Sequence, residues 1–262
     1  MKKILSYKKY RSLNHPTPYI FHIQKDGQHL FYFGAKHSFD PRDSQYKKIT
    51  AYWNAFIRAT RKNNCIVLIE GGNRKILKTK EQAIRNGGEM SYLAYLASKK
   101  GVETFSPEPS AKYRYKKLLK KFSRKEIAYY DFALVCYQWN RYKDKPDFEK
   151  YVNRFLKADE KSSGWKNFDF SLKNMIRIHR GLFGKKFNEN NKLFFHEILD
   201  PLGKKSVINK ISLFEESEIR DDYIAGEIER LWRKGKHLFI IYGTSHAVRQ
   251  EAVIRDFVSR QN

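Results

Sequence analysis

The stretch "HLFIIYGTSH", His237–His246, joins an apolar, β-rich run to a Gly-x-x-His ending, and "HLFYFGAKH", His29–His37, repeats that combination. A third run, "CIVLIEGG", Cys65–Gly72, is also apolar without alternation. Short continuous apolar runs of this kind predict strands that are covered on both faces. Helical patterns separate the three runs, and this order favours a mostly parallel sheet flanked by helices.

Other segments complete the predicted α/β fold. The pair Asp26-Gly27 between two β-rich runs predicts an N-terminal hairpin, because both residues tolerate the positive φ of a tight turn. Ile49, Trp53 and Phe56 lie at helical spacing, a second helix is predicted over about 88–100, and "VETF" is typical of a short strand.

The pattern changes in the middle of the chain. We predict that residues 1–110 and 217–262 form the first and last parts of the α/β core. Residues 111–216 are mostly helical, basic and aromatic, which indicates a helical insertion or subdomain.

Charge and cysteine content limit the partners and the compartment. The 262 residues include 53 Lys and Arg against 28 Asp and Glu, a net charge of +25 that attracts anions of any kind. Cys65 and Cys136 provide no disulfide framework, and neither a signal peptide nor a membrane span is evident. A cytoplasmic location is therefore the expectation.

The predicted strands end in residues that suit acid–base chemistry. His37, Glu70, Glu108 and His246 each follow a strand, and the carboxyl ends of parallel strands meet at one edge of a sheet, where ligands bind. Two imidazoles with carboxylates suit either a divalent metal with an open position or metal-free activation of water. A glycine shortly before each histidine allows close approach of the chain to a ligand.

The quoted segments, together with "IRDDYIAGEIERL", resemble the superfamily that contains the TraB/TIKI proteins, the erythromycin esterases and the ChaN-like proteins. The resemblance covers both ends of the chain and leaves out the helical middle. The family's early Gly-x-x-His falls on Gly34 and His37, its strand-end glutamate on Glu70, and its late motif on Gly243 and His246. Its helix-opening arginine falls on Arg220.

The resemblance implies an α/β core with one site formed by both chain ends, and hydrolysis in some relatives. TIKI-like members are metal-dependent proteases, erythromycin esterases use a histidine to activate water, and ChaN-like members are associated with haem. It implies that His37, Glu70, Arg220 and His246 are catalytic. His37, Glu70 and His246 could also hold a divalent metal such as manganese, cobalt or zinc.

Arg220, Glu108 and Glu89 are further candidates for substrate binding. An arginine offers a guanidinium fork to a carboxylate, a phosphate or a developing oxyanion. Glu108 also fits ordinary turn chemistry, and Glu89 fits a first-turn helix carboxylate stabilised by the helix dipole. His22, His29 and His237 show no partner spacing in the sequence.

Two functions follow from these patterns. The first is a hydrolase that acts on an ester, an amide or another anionic small-molecule or peptide substrate. The alternative is a polyanion- or nucleic-acid-binding protein that uses the basic insertion without catalysis. The sequence contains no P-loop, no dinucleotide-binding glycine motif and no Gly-x-Ser-x-Gly, which argues against nucleotide binding and a serine hydrolase.

Overall fold

A computed structural model describes residues 2–260. The chain divides into two compact units, of which the first comprises residues 1–108 and 220–262 and the second residues 109–219. The sequence analysis predicted the corresponding segments as 1–110, 111–216 and 217–262. The first unit is built on a five-stranded sheet and the second is helical.

The sheet has the order β1-β2-β5-β3-β4, in which only β1 and β2 pair antiparallel. The strands are β1 (Tyr19–Lys25), β2 (Gln28–Ala35), β3 (Cys65–Ile69), β4 (Glu103–Phe105) and β5 (His237–Gly243). The predicted mostly parallel α/β fold with an N-terminal hairpin is confirmed. The last strand lies between β2 and β3, so the two Gly-x-x-His strands are neighbours.

Helices cover both faces of this sheet. They are α2 (Gln45–Thr60), α3 (Lys80–Lys99), α10 (Asp221–Arg233) and α11 (Thr244–Ser259), and a short helix, α1 (Tyr7–Arg11), packs against α11. The prediction for α3 was wrong at its start, because the helix begins at Lys80 and kinks at Gly88, where φ is +60°. Thr79 caps that earlier start by accepting a hydrogen bond from the Gln82 N–H.

Alternate residues of each central strand pack against different helices. Phe33, Val67 and Ile241 face the core formed with α2 and α3. Tyr32 and Ile240 face the opposite core, formed with α10 and α11. Since both faces are buried, continuous apolar runs rather than alternating ones are the sequence signature of these strands.

The second unit is a helical cluster. Its helices are α4 (Ala111–Leu118), α5 (Arg124–Trp139), α6 (Phe148–Ser163), α7 (Leu172–Phe183), α8 (Lys192–Leu199) and α9 (Val207–Phe214), followed by a π-helical segment, Glu215–Arg220, that leads into α10. A largely buried Arg114 forms ion pairs with Asp131 and Glu215, and the Tyr115 hydroxyl donates to Asp131 over 3.0 Å. The guanidinium thereby compensates two buried carboxylates.

Three histidines form a row across adjacent strands, far from the strand ends that carry His37 and His246. His22 Nε2 and His29 Nδ1 are 3.1 Å apart, and the His29 backbone N–H donates to His237 Nδ1 over 3.1 Å. The ring centroids of His29 and His237 are 5.7 Å apart. This histidine row was missed in the sequence, because only the register of β1, β2 and β5 brings its members together.

The histidine row should make the fold less stable in acid. Burial lowers the pKa of His22, His29 and His237, and the proximity of His29 lowers the pKa of the other two further. Their contribution to stability is therefore complete above the unfolded pKa of about 6.5 and is lost as the pH falls below it. Urea unfolding at pH 7.5 and 5.5 should show a smaller loss of stability for His29→Gln than for the wild type.

A histidine outside the row provides the control for this measurement. His196 is exposed on α8, and His196→Gln should retain the wild-type dependence of stability on pH. Equal pH dependence of the wild type and His29→Gln would contradict the expected role of the row.

Two further properties bear on possible partners. None of the helices within residues 2–260 is both long and apolar enough to cross a membrane. Residues 109–219 contain 25 Lys and Arg with 14 Asp and Glu, and the rest of the chain contains 28 and 14. The positive charge is thus spread over both units instead of being concentrated in the helical one.

Candidate active site

Side chains from three neighbouring strand ends converge at the carboxyl edge of the sheet. Glu70 directly follows β3, His37 follows β2, and His246 lies in the first turn of α11 after β5. His246 Nε2 is 3.5 Å from Glu70 Oε1, and Glu70 Oε2 accepts a 2.7 Å hydrogen bond from the Gly243 N–H. The central position of β5 thus brings the two chain ends into one site.

The two motif glycines permit close approaches. A Cβ on Gly34 would lie 2.6 Å from the Ala247 Cβ, so a side chain there would push α11 away from β2. A Cβ on Gly243 would lie 3.0 Å from His37 Nε2 and 3.5 Å from Glu70 Oε2. His37 and Glu70 therefore face the same small space above Gly243.

His37 is oriented by a buried carboxylate. Its Nδ1 lies 2.5 Å from Glu89 Oε1, and the other oxygen of Glu89 accepts a 3.4 Å hydrogen bond from the Ser38 N–H. Glu89 is 2% exposed and follows the kink at Gly88, whereas the His37 side chain is 55% exposed. The hydrogen bond to Glu89 raises the pKa of His37 above its usual value, and Nε2 is left to face the site.

His246 is paired with a second buried carboxylate. Its Nδ1 lies 2.6 Å from Asp221 Oδ1, and Asp221 also accepts from the Gln250 side-chain amide and contacts Arg249 at 2.6 Å. Burial alone lowers the pKa of His246, but the Asp221 carboxylate outweighs it and the pKa is raised to about 10. Arg249 and Asp221 are each 0% exposed.

Neither protonation state of His246 leaves a free lone pair. When protonated, as its raised pKa favours, it has none to offer. When neutral with Nδ1–H donated to Asp221, its Nε2 faces Arg220 Nη1 at 3.1 Å and accepts from it. His37 is therefore the better placed of the two imidazoles to accept a proton.

Arg220 is fixed by carboxylates on two sides. Its Nε and Nη2 donate to the two oxygens of Glu108 over 2.9 and 2.8 Å, and Nη2 also donates to Glu70 Oε1 over 2.9 Å. Glu108 accepts a further hydrogen bond from the Gly71 N–H over 3.1 Å. Burial would raise the pKa of Glu70, but His246 and Arg220 outweigh it and hold that pKa well below its usual value.

The three predicted metal ligands, His37, Glu70 and His246, have other charged partners in this arrangement: Glu89, Arg220 and Asp221. The positive charge that faces Glu70, Glu108 and His246 is the Arg220 guanidinium, which occupies the position between those donors. Within residues 2–260 no group of three His, Cys, Asp or Glu side chains is arranged to hold a metal ion. We therefore derive no chemical step through a metal, and metal binding by His37, Glu70 and His246 stays a prediction.

All six residues singled out in the sequence lie in this site or directly behind it: His37, Glu70, Glu89, Glu108, Arg220 and His246. Glu89 lies behind His37, and Glu108 is bound by Arg220 and Gly71. The sequence reasoning missed Asp221, which directly follows Arg220. One feature of the sequence could have identified it: Asp221 lies at helical spacing from Ile224 and Ile228, which places an acidic residue on the apolar face of α10.

Comparison with known proteins gave no relative. No family model, no curated protein and no solved structure matches the chain.

Proposed function

We propose that this chain is a hydrolase in which His37 activates water for attack on an ester, an amide or another anionic substrate. One observation carries the proposal: two histidine–carboxylate pairs and a fixed arginine converge on one space, and only His37 keeps a nitrogen available there. Pairs of titratable groups held in different environments are typical of acid–base sites.

The proposed reaction begins with proton transfer to His37. Nε2 takes a proton from a water molecule while the water oxygen attacks the carbonyl carbon of the substrate. The Glu89 carboxylate, 2.5 Å from Nδ1, stabilises the imidazolium that forms. As the tetrahedral intermediate collapses, the leaving group departs with the proton from His37, and the imidazole is restored.

Positive charge at the opposite side of the space suits the developing oxyanion. Arg220 Nη1 lies 3.1 Å from His246 Nε2, and Glu70 and Glu108 position the guanidinium before any substrate arrives. Donors fixed in advance stabilise transition-state charge without reorganisation. Glu70 and Glu108 hold Arg220 in place, and Asp221 holds His246.

The substrate class follows from charge and from the resemblance to the erythromycin esterases. A net charge of +25 favours the approach of anionic molecules, and the family resemblance favours an ester. We keep the cytoplasm as the proposed location, since Cys65 and Cys136 are both free.

A substrate panel tests the proposal. Ester, amide and phosphoester model substrates should be incubated with the protein purified without chelator, with added EDTA, and with added manganese, cobalt or zinc. We expect turnover of at least one class that persists in EDTA. Turnover only with added metal would support metal binding by His37, Glu70 and His246, and no turnover of any class would contradict the proposed function.

Replacement of Glu89 should shift the pH dependence of turnover. The hydrogen bond to Glu89 raises the pKa of His37, and a general base works only when it is neutral, so wild-type kcat/KM should rise with pH through a value above about 6.5. In Glu89→Gln that support for the imidazolium is lost, so the rise should move to lower pH and the plateau should fall. An unchanged profile would assign a different group as the base.

Polyanion binding by the helical unit stays the alternative. Because the positive charge is spread over both units, the helical unit is not distinguished by charge as a surface for polyanions. Titration with duplex DNA and single-stranded RNA at several salt concentrations tests it, since a phosphate-binding surface loses affinity steeply as salt rises.

A further inference from the structure

A cavity of about 400 Å³ lies beside the edge strand β4. Residues of the loop after β3, the end of α3 and β4 line it: Asn73, Arg74, Ile76, Ser98, Gly101, Val102 and Thr104. None of the six candidate active-site residues is among them. The cavity is therefore lined by a different set of side chains from the site at the carboxyl edge.

Arg74 is held in a way that leaves one of its donors unused. Its Nη2 donates to the Glu70 backbone oxygen over 3.2 Å, which fixes the guanidinium against the end of β3. Its Nε is buried and has no hydrogen-bond partner in the described structure. A buried donor of a charged group is costly to leave unsatisfied, so an acceptor is expected there.

The surrounding backbone makes room for this guanidinium. Gly71 has φ +77°, and a Cβ at that position would lie 2.8 Å from Arg74 Nη2. Any side chain at Gly71 would strain the backbone and displace Arg74. The position of Arg74 thus depends on the local conformation of the chain, unlike that of a freely moving surface arginine.

We propose that this cavity binds the carboxylate or phosphate group of a small molecule, with the Arg74 guanidinium as the cationic donor to the anion. Guanidinium donors are well suited to both groups, because their geometry matches two acceptor oxygens. Ser98, Thr104 and Asn73 offer hydroxyl and amide groups to a polar ligand, while Ile76 and Val102 offer apolar contact. The inference is independent of the proposed hydrolase activity.

The high net charge makes a matched control necessary. A protein of net charge +25 attracts anions over its whole surface, and that attraction would be mistaken for a specific site. Lys75 is exposed and adjacent to Arg74, but it does not line the cavity. Lys75→Gln and Arg74→Gln therefore remove the same charge from the same loop, and only Arg74→Gln removes a guanidinium from the cavity wall.

Inorganic phosphate and sodium acetate are the probes. The thermal unfolding midpoint of each variant should be followed against probe concentration at constant ionic strength, which yields an apparent Kd. The wild type and Lys75→Gln should bind at least one probe with similar Kd, and Arg74→Gln should bind it about tenfold or more weakly. Comparison of the two probes shows whether the site prefers phosphate or carboxylate.

Two further variants keep the test decisive. Arg74→Lys keeps the charge but lacks the guanidinium donor, so it should bind nearly as weakly as Arg74→Gln. Thr104→Val keeps Arg74 and removes a hydroxyl from the cavity wall, so it should also weaken binding. It provides the test if Arg74→Gln does not fold. No saturable binding by the wild type, or equal Kd values for Arg74→Gln and Lys75→Gln, would overturn the proposal.

Discussion

The variant His37→Asn is expected to lower kcat/KM by about 10²- to 10⁴-fold on any substrate that the wild type hydrolyses, which is the usual contribution of a positioned general base. Asn has no nitrogen that accepts a proton near neutral pH. The other imidazole cannot take over, because His246 is committed to Asp221 and Arg220. Initial rates at saturating and limiting substrate would separate the effect on kcat from that on KM.

This loss of activity should be measured separately from a loss of stability. His37→Asn leaves the Glu89 carboxylate, which is 2% exposed, without its imidazole partner, so the free energy of unfolding should fall by about 1–3 kcal/mol, and kcat/KM is compared under conditions in which both proteins are folded. Lys36→Gln provides the control, since Lys36 is exposed and precedes His37 directly. Retention of wild-type kcat/KM by His37→Asn would refute its role as the base.

Asp221→Asn should have the largest effect on stability. Asp221 is 0% exposed and compensates the buried Arg249 together with His246. Removal of one partner from a buried charge pair leaves an uncompensated charge and costs about 3–5 kcal/mol. We expect the free energy of unfolding, measured by urea denaturation at pH 7.5, to fall by that amount.

The adjacent residue provides the matched comparison for Asp221→Asn. Asp222 is exposed and also lies in the first turn of α10, so Asp222→Asn removes the same charge from the same helix end at a smaller cost of about 0.5 kcal/mol. If both variants lost equal stability, the buried network around Asp221 would not be the cause. A loss below about 1 kcal/mol for Asp221→Asn would likewise show that the buried network around Asp221 contributes little to stability.

The sheet and the first layer of the site were predictable because their signals are local. Buried strands require continuous apolar runs, and the residue that follows each run is defined by position alone. Glu70 and His246 could therefore be placed at one edge of the sheet without knowledge of strand order. The Gly-x-x-His motif also marked Gly243 in the sequence, and the structure adds the reason: a Cβ there would lie 3.0 Å from His37 Nε2.

The residues behind the site could not be assigned in this way. Glu89 and Asp221 look like ordinary acidic residues at helix starts, where the helix dipole favours them. Their roles depend on which histidine each contacts, across 52 residues for His37 and Glu89 and across 25 for Asp221 and His246. The histidine row was hidden for the same reason, because strand register is a tertiary property.

The place of β5 in the sheet has a consequence for synthesis on the ribosome. The strand at the centre of the sheet follows the other four in the chain, and it pairs with both β2 and β3. A nascent chain whose residues 237–243 are still in the exit tunnel has two unpaired strand edges, on β2 and β3, and its candidate active site lacks His246. Chaperone contact during translation should therefore fall on those edges, and the candidate site should assemble only after α11, which carries His246, has emerged.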